Sequence, residues 1–418
     1  MGRITKTTMK KISLLIVFAF TLSAGQTQPW ATLLEELPAQ NRELQALHHE
    51  YLAALEKAPQ VNRLPDPELG LGAFPLPVET RLGPQVARFS ATQMFPWRGT
   101  LERRETLENA RAQVRYESIA IRQLDLAYEL QGAWLQLYEI RQRKGLLARN
   151  ITLLAGLERL ALARVESGKA NAADVLRVQL SRREQEQQLA LLEPAEVSPT
   201  AIINNLLYRP LDTPVVISDS LVPAVLVYDA AAVLAQIQSS HPLVRSLAQE
   251  QVVAQENIAL NTLNGKPSFG VGVDYILVNQ RDMVELPDNG KNILQVRATI
   301  KIPLNREPYR AKEREERLRI TALQDRTAAV ESNLATLLTQ AYAELATAQL
   351  EVDFLAEQLV ITRAAIHILT TAYSTGGQSL DELLRLEKES LAYEIRLLHA
   401  TVATHLAKSK VERLIPKF

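Results

Sequence analysis

Along residues 107–162, and again along 318–369, leucine and alanine recur at three- and four-residue spacings with Glu, Arg and Gln between them. That is the period of an α-helix with one apolar stripe. Residues 99–167 and 305–374 hold no proline except Pro308, which falls in a first turn where proline is tolerated. A continuous helix over either segment would be about 100 Å long at ~1.5 Å per residue. Globular domains do not need helices of that length, whereas coiled coils do. Each stripe must be buried, and returning helices predicted over 172–207 and 379–413 are its natural partners. Shorter helices are predicted near 31–58 and 229–262.

Four segments carry the other period. Phe269, Val271, Val273 and Tyr275 alternate with Ser268, Gly270, Gly272 and Asp274, and Leu294, Val296, Ala298, Ile300 and Ile302 alternate with Gln295, Arg297, Thr299 and Lys301. Earlier, Leu69, Leu71 and Ala73 alternate with Glu68, Gly70 and Gly72, and Ala87, Phe89, Ala91 and Phe95 with Arg88, Ser90 and Thr92. Strands are therefore predicted at 67–74, 85–95, 267–278 and 292–302, each with one apolar and one polar face. Periodicity leaves two readings open. The apolar face meets a protein core in a soluble sheet, and lipid in an outer-membrane barrel, where the polar face lines a wet lumen. Two features point to the barrel. The strands have the ~9–11 residues that cross a bilayer at a tilt, and Trp97 follows Phe95-Pro96 where an aromatic marks a membrane interface. A Trp buried at a strand-to-helix junction is the alternative for that residue. Four strands cannot close a barrel, and an open edge in lipid leaves backbone groups unpaired. Membrane strands would thus force several chains to share one barrel.

The chain also aligns with itself. Pro67, Gly70 and Gly72 fall on Pro267, Gly270 and Gly272 at an offset of 200. Gly168, Leu176 and Arg177 fall on Gly376, Leu384 and Arg385 at 208, the shift being confined to a longer loop in the second copy. Two units are expected, 26–210 and 211–418, joined by a proline-interrupted connector.

Composition narrows the classes. The 418 residues contain 47 Lys+Arg and 47 Asp+Glu, a zero balance that argues against a nucleic-acid binder. The absence of cysteine excludes disulfides, thiolate metal sites, cysteine nucleophiles and a lipoprotein's acylated cysteine. Arg3, Lys6, Lys10 and Lys11, the apolar run Ile12–Leu22 and the small residues Ser23, Ala24 and Gly25 read as a signal peptide over 1–25, with Met9 an alternative start.

The duplicated order resembles the TolC family of outer-membrane efflux proteins over nearly the whole mature chain. The residues that carry it are Pro65-Asp66-Pro67 before a Gly-x-Gly strand, Phe95-Pro96-Trp97-Arg98-Gly99 entering the long helix, and turns at Gly168-Lys169 and Gly376-Gly377. The resemblance implies a mainly α fold with a small transmembrane β part: a homotrimer with a twelve-strand β-barrel and a long α-helical coiled-coil tunnel. It places the protein in the outer membrane of a Gram-negative bacterium with a periplasmic helical extension, as the passive exit duct of a tripartite efflux system. The implied partners are outer-membrane lipid, a periplasmic adaptor (membrane fusion protein) and an inner-membrane pump of RND type, the motifs standing nearest the heavy-metal branch. It sets Gly168, Lys169, Gly376 and Gly377 at the adaptor-docking tip, with Pro96 and Trp97 at the membrane interface. Gate residues carried over are Tyr373 bonded to Asp174 and Glu382 at the first position of an acidic ring; Asp381 beside it, and Arg177 and Arg385 after each turn, are grouped with them at the tip. Arg385 and Gln378 depart from the family's closing network. Without the resemblance, Asp174 reads equally as a helix cap.

No catalytic, cofactor or metal site emerges. His48-His49 diverge by about 100° on a helix, and no phosphate loop or nucleophile elbow is present. A soluble periplasmic coiled-coil adaptor or scaffold is the alternative from another class.

Overall fold

The computed structural model describes residues 30–415, apart from 218–219, 227–228, 283–284, 286 and 376–379. The predicted signal segment and the turn residues Gly376 and Gly377 lie outside the described residues. The first half runs α1 (Trp30–Gln40), α2 (Arg42–Leu55), α3 (Ala58–Val61), β1 (Glu68–Thr80), β2 (Gly83–Phe95), α4 (Thr100–Glu166), α5 (Ala172–Ala195) and α6 (Val197–Leu206). The second runs α7 (Ala230–Ser240), α8 (Pro242–Asn264), β3 (Ser268–Val278), β4 (Ile293–Lys301), α9 (Glu307–Thr375) and α10 (Leu380–Leu414).

Equivalent breaks divide the two halves. Asn41 and His241, 200 positions apart, each end one short helix and cap the next. The Asn41 side chain accepts from the Leu44 N–H at 3.1 Å, and His241 Nδ1 accepts from the Leu243 N–H at 3.2 Å. A side-chain acceptor at this position satisfies an amide that the helix start leaves free. Thus the predicted helices 31–58 and 229–262 are each two helices.

The long helices are held as coiled coils. Leu334, Leu338, Ala341, Leu345, Ala348, Val352, Leu355 and Leu359 of α9 are all buried, in strict alternation of four- and three-residue steps. That is an a/d seam of period 3.5, which keeps facing one partner only if the helices wind about each other. α10 lies along α9, and α4 packs on α5, α8 and α10. Around α4, Leu130, Trp134, Leu137 and Tyr138 meet Leu33 and Leu37 of α1, Ile203 and Leu206 of α6, and Val402 of α10. Fully burying each such side chain stabilises by roughly 1.5–3 kcal/mol.

The strands form one antiparallel sheet in the order β1-β2-β3-β4, so the two hairpins join through β2 and β3. β1 continues six residues past the predicted end at 74, through Pro75 and Pro77. Its register slips between Ala73 and Val78, where the prolines sit. Proline is accommodated at an edge strand or irregularity because no ladder N–H is required there. The predicted helix 172–207 is also corrected: α5 ends at Ala195 and α6 starts at Val197, with Pro194 in the last turn of one and Pro199 in the first turn of the other. In the proline-interrupted connector the described residues 213–217 are irregular.

Candidate membrane band and helical tip

The register decides which face of the sheet is which. Leu71, Phe89, Tyr275 and Leu294 stand side by side across the four strands, and Leu69, Ala91, Val273 and Val296 form the next row on the same face. Nothing among the described residues covers them: Leu71 is 76% and Val296 73% exposed. The opposite face carries the polar rows, including Gly70, Ser90, Asp274 and Gln295. On that face Asp274 is 0% exposed, held by Arg88 at 2.7 Å with Arg297 at 3.9 Å. Arg297 also donates to the Thr92 hydroxyl at 3.0 Å. A water-soluble sheet buries its oily face against a core; here the oily face is the uncovered one. Exposed apolar area in such a continuous band marks an interaction surface.

Trp97 and Pro96 sit at one end of this band. Trp97 is exposed, with its ring 6.1 Å from that of Phe269, so it is not a core residue of the strand-to-helix junction. The chain turns from β2 into α4 through Gly99, whose φ of +85° lies in the left-handed region that disfavours a Cβ.

At the far end of the long helices, α4 stops at Ser167 and Gly168, φ +71°. The Lys169 N–H donates to the Arg164 carbonyl at 2.8 Å and the Gly168 N–H to Val165 at 2.9 Å, which takes up carbonyls left by the ending helix. Lys169 projects into solvent at the turn. Asn171 then caps α5 by accepting from the Ala173 N–H at 3.0 Å. Asp174 is therefore not the cap. It stands in the first turn of α5, where a carboxylate is favoured by the helix dipole.

Arg177 binds both Asp174, at 3.3 Å, and Asp381 of α10, at 2.9 Å, tying the two helical hairpins together. Arg385 instead folds back along α10 onto Glu382 at 2.6 Å and Glu389 at 3.5 Å. That hydrogen bond from Arg385 holds the Glu382 carboxyl below its usual range. Tyr373 is buried in the apolar cluster that links Leu154, Leu157 and Ala161 of α4 with Val178, Leu380 and Leu383. Its hydroxyl has no hydrogen-bond partner among the described residues, Asp174 included, so the Tyr373–Asp174 bond expected from the resemblance is not formed. Burial raises the Tyr373 phenol, Arg164 lowers it and the Asp174 charge adds to the rise.

Arg164 escaped the sequence reading. Its guanidinium lies over the Tyr373 ring, 4.2 Å from the centroid, and donates to the Tyr373 carbonyl and, at 3.2 Å, to that of Lys169. An arginine in the last turn of a helix, where cations suit the dipole, was the available signal. The Arg88–Asp274–Arg297 cluster was equally hidden, because only register brings the three strands' charges together.

No family model and no curated protein matches the sequence. Solved structures do match in fold. The chain is similar to CusC, described as forming a transmembrane channel, at TM-score 0.74 and 13% identity, covering 95% of each chain. It is similar to the outer-membrane channel OprN at TM-score 0.73 and 18% identity, over 93% of this chain and 90% of that one. It is similar to the outer-membrane protein VceC from Vibrio cholerae at 0.71 and 13%, over 92% and 95%. The chain has the TolC-like outer-membrane channel fold, a helical tunnel segment joined to a small antiparallel β part.

Proposed function

We propose that this chain is one subunit of a passive exit duct through the outer membrane of a Gram-negative cell. The observation that carries the reading is the uncovered apolar face of a four-stranded sheet whose polar face holds its charges. A sheet of that kind belongs in lipid, where unpaired edges are not tolerated. β1 and β4 are edges within one chain, so neighbouring copies must pair with them. Three copies, as in the resemblance, supply twelve strands and bring three sets of α4, α5, α9 and α10 round one axis as a periplasmic tunnel.

The duct makes and breaks no bond. It works with a periplasmic adaptor at the Gly168-Lys169 end and an inner-membrane pump, for which RND type is the reading taken from the sequence. Metal cations or drugs are the candidate solutes. Arg164, Tyr373, Arg177, Asp174 and Asp381 hold the entrance in its resting form, and charged side chains there act on a solute through their field. Cell fractionation tests the placement. Release of the protein only by detergent supports the duct, whereas release by osmotic shock supports a soluble periplasmic scaffold.

A further inference from the structure

Between α4, α5 and α10, within the helical bundle, lies a cavity of about 130 Å³. Asn150 of α4, Gln185 of α5 and Glu387 of α10 line it, and the exposed pair Lys388–Glu184, at 3.4 Å, stands at its solvent side. Gln185 is 8% and Glu387 7% exposed. The Gln185 Oε1 and Asn150 Oδ1 atoms are shut away from solvent with no donor in reach. Glu387 has no hydrogen-bond or ion-pair partner among the described residues, although its carboxyl oxygens are not sealed from solvent as those two amide oxygens are. Three helices thus bring acceptor oxygens to one small space.

Buried acceptors without donors are costly, and a buried carboxylate without a counter-charge more so. Burial, with the Glu394 charge second, raises the Glu387 carboxyl above its usual range, so the site's cost falls on its negative form. The positive groups nearby are already engaged: Lys388 by Glu184, and Arg363 by Glu394 at 2.5 Å. A cation would satisfy oxygens that no donor of the described residues reaches. An all-oxygen set of one carboxylate and two amide carbonyls suits a hard ion, and its irregular geometry suits Ca²⁺ better than Mg²⁺, which demands a near-ideal octahedron.

We propose that this cavity binds one Ca²⁺ per chain through the Glu387 carboxylate and the Asn150 and Gln185 amide oxygens, with water completing the shell. The ion ties α4, α5 and α10 together below the tip. A single carboxylate makes the affinity weak, on the order of 10⁻⁴–10⁻³ M, the range of low-charge calcium sites. The inference stands on the cavity and does not require the duct reading.

The test is calorimetric titration of the full-length protein in detergent with CaCl₂, and with MgCl₂ for comparison, alongside thermal unfolding with and without the salt. The expected result is about one Ca²⁺ per chain with weaker Mg²⁺ binding and a rise in Tm. Glu387→Gln, which keeps the shape and removes the charge, should weaken Ca²⁺ binding at least about tenfold, and Gln185→Leu should weaken it measurably. No heat or Tm shift at about ten times that range, or equal binding by wild type and Glu387→Gln, would overturn the proposal. So would full retention of binding in Gln185→Leu, since the ion would then sit elsewhere.

Discussion

The guanidinium of Arg164, in the last turn of α4, lies 4.2 Å from the ring centroid of Tyr373 in α9 and donates to that residue's carbonyl. One side chain therefore holds the end of the second long helix through its ring and its backbone. Tyr373 contributes its ring and its carbonyl, while its hydroxyl is idle.

This arrangement separates two substitutions that would otherwise look alike. Tyr373→Phe removes an unpaired hydroxyl and should change stability by less than about 0.5 kcal/mol, leaving the channel as quiet as the wild type. Arg164→Ala removes the ring contact and the carbonyl's donor. It should cost about 1–2 kcal/mol and raise the frequency of openings in bilayer recordings. A Tyr373→Phe channel as leaky as Arg164→Ala would mean that the hydroxyl bonds Asp174 after all.

The Arg177–Asp381 pair bridges the two hairpins but is open to solvent. Exposed pairs are worth about 0.2–1 kcal/mol and are screened by salt. A double-mutant cycle with Arg177→Ala and Asp381→Ala should give a coupling in that range at low ionic strength, falling towards zero in about 1 M salt. A coupling indifferent to salt would contradict the geometry.

His241 caps α8 through Nδ1 and is buried beside Arg413 and Asp125. Burial, helped by the Arg413 charge and opposed by Asp125, pushes its pKa down from 6.5 to about 4. A base with a depressed folded pKa binds its proton better when unfolded. Its contribution to stability is thus complete above about 6.5 and is lost as pH falls towards 4. His241→Asn keeps a cap and removes the titration, so Tm plotted against pH should flatten over that window. Some slope will remain from His405, also lowered by burial. An unchanged profile would show that folding does not shift the His241 pKa.

Val273 lies in the exposed apolar band between Ala91 and Val296. Val273→Arg should cost about 2–4 kcal/mol in lipid if the position is near the bilayer midplane, and should sharply reduce recovery of membrane-inserted protein. The same change on the wet side of a soluble sheet would be close to neutral. Normal recovery of the variant would argue against lipid contact.

The long helices were legible because a proline-free stripe of leucine and alanine leaves one solution, and the a/d run of α9 from Leu334 to Leu359 carries it without a fault. The strand period was equally plain, but which face was covered was not. Alternation looks the same in water and in lipid, and it is the rows through Phe89, Tyr275 and Leu294 that show an apolar surface with none of the described residues upon it. The break at Asn41 was missed since the apolar pattern passes through it, whereas His241-Pro242 carries a helix-opening proline in the sequence; buried caps, not a change of period, divide both pairs of helices. Continuation of β1 through Pro75 and Pro77 depended on the tolerance of an edge. At the tip, the family resemblance implied a Tyr373–Asp174 bond. Three-dimensional competition gave Asp174 to Arg177 and the Tyr373 ring to Arg164.

The chain has no cysteine, so single cysteines can be introduced one at a time along β4 and spin-labelled in reconstituted protein. Positions Leu294, Val296, Ala298 and Ile300 should be open to oxygen, which concentrates in lipid, and closed to a water-soluble nickel chelate. Gln295, Arg297 and Thr299 should show the opposite, giving an accessibility period of two residues along the strand. Equal access of the chelate to both sets would contradict a place for this sheet in the membrane, and with it the duct.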